Sequence, residues 1–200
     1  MKYRGKFVTL DGPAGVGKST TIDNLQNLLI SHEIVSKSIT QPSKSEFGQF
    51  IRSNAHIYGK EALACMVAAD RYDQEQSIIM PSLRDGINII CDRYVPSSFV
   101  LQGMDGVDES FIRSINSRVI VPDYSFILTA SPDIIETRLN KRGTRHTFKA
   151  DMGKSAEEVS RYERIIPRLG ELGYNTTVIN VDTLAPSEVA EALYEGVEWS

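Results

Sequence analysis

The sequence is poor in the residues that build disulfide frameworks and metal cages, with two cysteines and three histidines among 200 residues. Cys65 and Cys91 have no ligand spacing, and His32, His56 and His146 are scattered, which argues against a cysteine or histidine metal cluster. Both cysteines fall in apolar stretches and are expected to be small buried side chains in a reducing compartment. Surplus positive charge is missing too: 22 Lys and Arg stand against 26 Asp and Glu, for a net charge of −4. No general polyanion-binding surface is expected, and no nucleic-acid polymer as partner. Apolar runs fall far short of the ~20 residues that cross a bilayer. Residues 1–6 lead directly into a strand, so neither a membrane anchor nor a signal peptide is expected, and a cytoplasmic location fits. Repeats, linkers and low-complexity stretches are also lacking, so residues 1–200 read as a single domain.

What is present begins at Gly12. Residues 12–19 read Gly-Pro-Ala-Gly-Val-Gly-Lys-Ser, a glycine-rich loop of the form G-x-x-x-x-G-K-[ST]. Phe7, Val8 and Leu10 before it suit a buried strand, and Ile22, Leu25, Leu28 and Leu29 after it share one helical face. Gly12, Gly15 and Gly17 let the chain wrap so that successive N–H groups face phosphate oxygens, with the helix N-terminus adding partial positive charge. In this setting Lys18 is expected to neutralise the β- and γ-phosphates, and the Ser19 hydroxyl to hold Mg²⁺.

Short apolar runs at 7–10, 34–39, 87–91, 124–128 and 178–181 alternate with helical stretches. Their continuous apolar character predicts parallel strands covered on both faces, hence an α/β, doubly wound three-layer fold with ligands at the carboxyl ends of the strands. Ser131-Pro132-Asp133 reads as a helix start, Ser155 with Glu158 as a capping box, and Val189, Leu193 and Val197 as the apolar stripe of the last helix. Residues 41–46 read as a polar turn. Residues 143–154 carry Arg145, His146, Lys149 and Lys154 between Gly143 and Gly153, a composition suited to a short lid closing over phosphates.

Asp92-Arg93-Tyr94 follows the 87–91 run, at the same rim as the glycine loop. Asp92 is suited to orient Mg²⁺ or its waters, or to assist deprotonation of an acceptor oxygen. Arg93 is suited to grip a phosphate bidentately.

With these motifs in place, nearly the whole chain resembles the thymidylate kinase family of P-loop nucleoside monophosphate kinases. The matching stretches are the segment from Phe7 to Thr20, Gln41-Pro42, Ala69-Asp70-Arg71, Asp92 to Gly103, and Pro132 through Arg142-Gly143. The resemblance implies a five-stranded core, ATP as donor, Mg²⁺, a nucleoside monophosphate acceptor and often a homodimer. Carried onto this sequence, it assigns Lys18, Ser19 and Thr20 to the nucleotide loop. It places Arg138, with Asp182, Thr183 and Ala185, around the adenine. Arg142 and Arg145 become candidate transition-state cations of the lid. Arg52, Arg71 and Arg93 would hold the acceptor's phosphate, with Ser97 and Gln102 nearby.

The same resemblance marks departures in the acceptor pocket. The family's P-loop carboxylate, which bonds the sugar 3′-hydroxyl, is Ala14 here. Val67 stands where a phenylalanine stacks on thymine, Leu101 where an aromatic ring lies beside the sugar 2′-carbon, and Gln41 where an acid precedes the proline. These changes would loosen selection for dTMP and admit a ribonucleotide or an atypical pyrimidine. dTMP or a related pyrimidine nucleotide remains the leading acceptor. Two other readings stand beside it: a nucleoside kinase, which three acceptor-side arginines argue against, and a nucleotide-dependent regulatory switch.

Overall fold

The computed structural model describes residues 4–141 and 152–200, with side chains from residue 155 onward in the second stretch. Five parallel strands form one sheet: β1 (Phe7–Asp11), β2 (Ser36–Thr40), β3 (Asn88–Asp92), β4 (Tyr124–Thr129) and β5 (Thr176–Asn180). Their order across the sheet is β2-β3-β1-β4-β5. The order reverses direction at β1, which pairs with β3 on one side and β4 on the other. Leu10 lies opposite Asp92 in that register, so the two chains leave the sheet side by side at the crevice where such folds bind ligands.

Helices cover both faces. One core gathers Phe7, Ile89, Cys91 and Ile127 under α3 (Lys60–Gln74), α5 (Val95–Met104), α6 (Glu109–Ile115) and α8 (Met152–Leu169). The other gathers Val8, Leu10, Ile90, Phe126 and Leu128 under α1 (Lys18–Ser31), α7 (Pro132–Lys141) and α9 (Pro186–Glu195). Phe7 and Val8 point to opposite faces because side chains alternate along a strand, and both are fully buried because both faces are covered. A π-helical turn, Glu75–Ile79, joins α3 to α4 (Met80–Arg84), and α2 (Glu46–Asn54) follows the turn after β2.

Four sequence expectations are corrected. The edge strands β2 and β5 are not covered on both faces; Lys37, Ser38, Thr177 and Val178 are exposed. β2 starts only at Ser36, because the Ile34 N–H closes the end of α1 on the Leu29 carbonyl. Cys65 is exposed rather than buried, since the inward face of α3 is set by Leu63, Ala64, Val67, Ala68 and Arg71. Ser155 and Glu158 form no capping box: α8 already runs from Met152, and the Glu158 carboxylate turns to the P-loop instead.

Candidate active site

The P-loop turns tightly because three glycines adopt positive φ, 142° at Gly12, 80° at Gly15 and 114° at Gly17. A Cβ at Gly12 would lie 2.4 Å from the Leu128 carbonyl oxygen, so the loop could not approach β4 as it does with any other residue there. Gly17 caps α1 in the left-handed region, which aims the helix N-terminus into a cavity of about 210 Å³ lined by Ala14, Gly15, Gly17, Lys18, Ser19, Asp92 and Arg93. Thr20 follows in the first turn of α1.

Lys18 is buried, and its ammonium donates to the Gly12 and Pro13 carbonyls at 2.8 and 2.9 Å. Burial, reinforced by the nearby Arg93, lowers its pKa to about 7 against opposing pulls from Asp92, Glu158 and Asp11. Across the cavity the Ser19 hydroxyl donates to Asp92 Oδ2 at 3.0 Å. Asp92 Oδ1 is shielded and has no partner among the described residues. A hydroxyl and a carboxylate with a spare oxygen suit a hard cation. Among the described residues, however, no cluster of three or more His, Cys, Asp or Glu side chains completes a cage. Such a pair holds Mg²⁺ when substrate phosphates and water supply the remaining ligands.

Arg93 sits at φ 73°, a conformation costly for a residue with a side chain. Its surroundings over-determine it. Nη1 lies 3.3 Å from Ser97 Oγ, 3.4 Å from the Gly12 carbonyl and 3.9 Å from Glu158 Oε1. Ser97 is fixed in turn: its hydroxyl donates to Asp11 Oδ1 at 2.6 Å and meets the Tyr162 hydroxyl at 2.9 Å. Asp11 Oδ1 also accepts the Tyr94 and Ser97 N–H groups, each at 3.0 Å, and so pins the start of α5 to the end of β1. Asp11 is fully buried, and that burial raises its pKa.

The other acceptor-side candidates gather around residues 41–43. Arg71 is buried, and its guanidinium donates to Gln41 Oε1 at 2.7 Å, to Ser98 Oγ at 2.9 Å and to Asn116 Oδ1. It also lies over the Tyr94 ring, 5.2 Å from the centroid. All these partners are neutral, and no carboxylate pairs with Arg71 among the described residues. Arg52, on α2, donates to the Pro42 and Ser43 carbonyls. Val67 packs into a small cluster with Ile51 and Leu63, and Gln102 is buried on α5 one residue after the half-buried Leu101.

On the opposite rim, Arg138 straps the P-loop to the β5–α9 connection, donating to the Val16 and Val181 carbonyls at 2.9 Å each. Asp182 Oδ1 accepts the Ser131 N–H at 2.7 Å, which joins the same connection to the start of α7. Thr183 and Ala185 are exposed there. Arg142, Arg145 and most of the 143–154 segment lie outside the described residues.

The sequence reading missed Asp11, Asn116, Glu158 and Tyr162. Glu158 carried a legible signal: with Ser155, Val159, Tyr162, Ile165 and Leu169 it falls on the one buried stripe of α8, where an unpaired carboxylate is costly.

Comparison with known proteins agrees with this geometry. A family model described as thymidylate kinase matches residues 10–191. A probable thymidylate kinase of Caldivirga maquilingensis is 35% identical over 76% of this chain and 78% of its own. A thymidylate kinase of Caldicellulosiruptor saccharolyticus is 36% identical over 70% and 72%, respectively. A probable thymidylate kinase of Archaeoglobus fulgidus is 28% identical over 96% and 94%. Matched along most of its length and carrying the G-x-x-x-x-G-K-[ST] loop at the switch point of its sheet, this chain belongs to the thymidylate kinase family.

Proposed function

We propose that the protein transfers the γ-phosphoryl group of ATP to dTMP, giving ADP and dTDP. The observation that carries this reading is the shared cavity of Lys18, Ser19, Asp92 and Arg93; the buried Arg71, which no carboxylate among the described residues neutralises, supports the acceptor side. Burying a guanidinium without a carboxylate costs several kcal/mol, and an anionic acceptor would offset that cost.

The P-loop N–H groups and the start of α1 receive the donor's phosphates, and Lys18 adds a charge that the phosphates themselves stabilise. Arg138 and residues 182–185 flank the adenine. Ser19 and Asp92 would hold Mg²⁺, which when bound neutralises charge on the β- and γ-phosphate oxygens. Arg93, held by Ser97, which Asp11 fixes in turn, and Arg71 hold the dTMP phosphate so that one of its oxygens attacks the γ-phosphorus. As that bond forms, the bond to the β–γ bridging oxygen breaks and its electrons leave with ADP. The work is positioning and charge neutralisation. Arg52 supports this side through the 42–43 segment. Arg142 and Arg145 belong to the proposed lid and supply cations to the transferring group.

Gln102, Leu101 and Val67 line the nucleoside end. No observation favours a ribonucleotide or a nucleoside as acceptor over dTMP. A homodimer accords with the family and with the exposed Phe47, Phe50, Ile57 and Tyr58 on and after α2. A cytoplasmic location fits an enzyme of nucleotide supply; among the described residues no helix is long and apolar enough to cross a membrane. The test is ATP consumption with and without monophosphates. A kinase needs its acceptor, whereas slow hydrolysis indifferent to added monophosphate would indicate a regulatory switch.

A further inference from the structure

We infer that Glu158 is the residue that recognises the acceptor's sugar, by accepting a hydrogen bond from its 3′-hydroxyl; the inference rests on reading the acceptor as dTMP. Glu158 reaches the P-loop from α8, an element far away in sequence. Its two carboxylate oxygens lie 3.2 and 3.1 Å from the Ala14 N–H. The side chain is only 10% exposed, and Arg93 Nη1 stands 3.9 Å off. A carboxylate accepts at about four lone-pair sites, and one N–H with one distant guanidinium leave most of that capacity unused. The stretch of α8 that carries it is anchored, since Tyr162, one turn on, is fully buried with its hydroxyl 2.9 Å from Ser97.

The electrostatics of the cleft say what can bind there. Lys18, Arg93 and the α1 N-terminus mark its anion-binding part. A fixed carboxylate beside Ala14 repels phosphate and selects a neutral donor. In a 2′-deoxyribonucleoside 5′-monophosphate the sugar has a single hydroxyl, at C3′. With the phosphate on Arg93, that hydroxyl is the donor close enough to reach a carboxylate next to the same arginine. Ala14 offers no side-chain acceptor of its own, so the acceptor arrives from α8 and meets the P-loop at that position.

The test compares dTMP with 3′-deoxythymidine 5′-monophosphate in kcat/KM, for the wild type, Glu158→Ala and Glu158→Gln, with KM for ATP measured alongside. A hydrogen bond to a charged group predicts that the wild type prefers dTMP by about ten- to a hundredfold. Glu158→Ala should bring that ratio to within about threefold of unity. Glu158→Gln, which can still accept the Ala14 N–H, should lower it to an intermediate value. A residue that only braces the P-loop would depress both acceptors equally and leave the ratio unchanged; that result, or a wild type indifferent to the 3′-hydroxyl, overturns the inference while dTMP kinase activity stands. If Glu158→Ala does not fold, the Glu158→Gln ratio decides. A wild type that phosphorylates no dTMP overturns the proposed function itself, and this inference with it.

Discussion

Arg71 donates through Nε to Gln41 Oε1 at 2.7 Å, and both side chains are buried. The amide accepts the bond without cancelling the charge, so the guanidinium keeps its full pull on an anion. Arg71→Ala removes that pull and should raise KM for dTMP about tenfold or more with little effect on KM for ATP. Steady-state kinetics with each substrate varied check this. An unchanged KM for dTMP would remove Arg71 from the acceptor site.

Lys18 predicts a pH dependence. Its pKa in the folded protein, about 7, lies below the ordinary 10.5. Between these values the folded chain holds fewer protons than the unfolded one, so this group's contribution to stability grows as the pH rises through that window. Nucleotide binding runs the other way. Phosphate favours the charged lysine, so binding takes up a proton above pH ~7, and affinity should fall by up to about tenfold per pH unit. Calorimetry of a non-hydrolysable ATP analogue in two buffers of different ionisation enthalpy reads the proton directly. Lys18→Ala should abolish the uptake and cost on the order of a hundredfold or more in turnover. A wild type without proton uptake contradicts this role.

Asp11 separates charge from hydrogen bonding. Asp11→Ala strips the acceptor from the Tyr94 N–H, the Ser97 N–H and the Ser97 hydroxyl, and should destabilise the fold by about 2–4 kcal/mol. Asp11→Asn keeps an acceptor oxygen and removes a buried charge. Because burial raises the Asp11 pKa above 3.8, the folded wild type binds this proton more tightly than the unfolded chain does, and it loses stability as the pH rises past that value. Asp11→Asn should therefore gain on the wild type between about pH 4 and pH 7 in denaturant titrations. A constant difference across that range would exclude the charge penalty.

Arg138 ties two loops together through carbonyls, and Arg138→Ala should loosen both. The expected result is a rise of about tenfold in KM for ATP with KM for dTMP nearly unchanged, the reverse of the Arg71→Ala pattern. Equal effects on both substrates would argue for a general structural role.

The local motifs were readable in the sequence because their chemistry is local. The order strand, glycine loop, helix fixes Lys18 and Ser19, and a strand end fixes Asp92 and Arg93. Contacts between distant segments were not readable. Ser155 and Glu158 satisfied a short capping pattern, yet Glu158 finds its partner at Ala14, 144 residues away. Cys65 looked buried because its neighbours are apolar, and only the rotation of α3 against its surroundings shows it outside. Nor does a neutral residue such as Asn116 announce that it will hold Arg71, because that bond depends on how α6 and α3 pack.

The most direct test is a side-by-side measurement of kcat/KM for dTMP, dUMP, UMP and CMP with Mg²⁺-ATP and the purified protein. The predicted result is acceptor-dependent ADP formation with dTMP preferred over the other three. ADP formation indifferent to the monophosphate, or a preference for UMP or CMP over dTMP, would contradict the proposed activity.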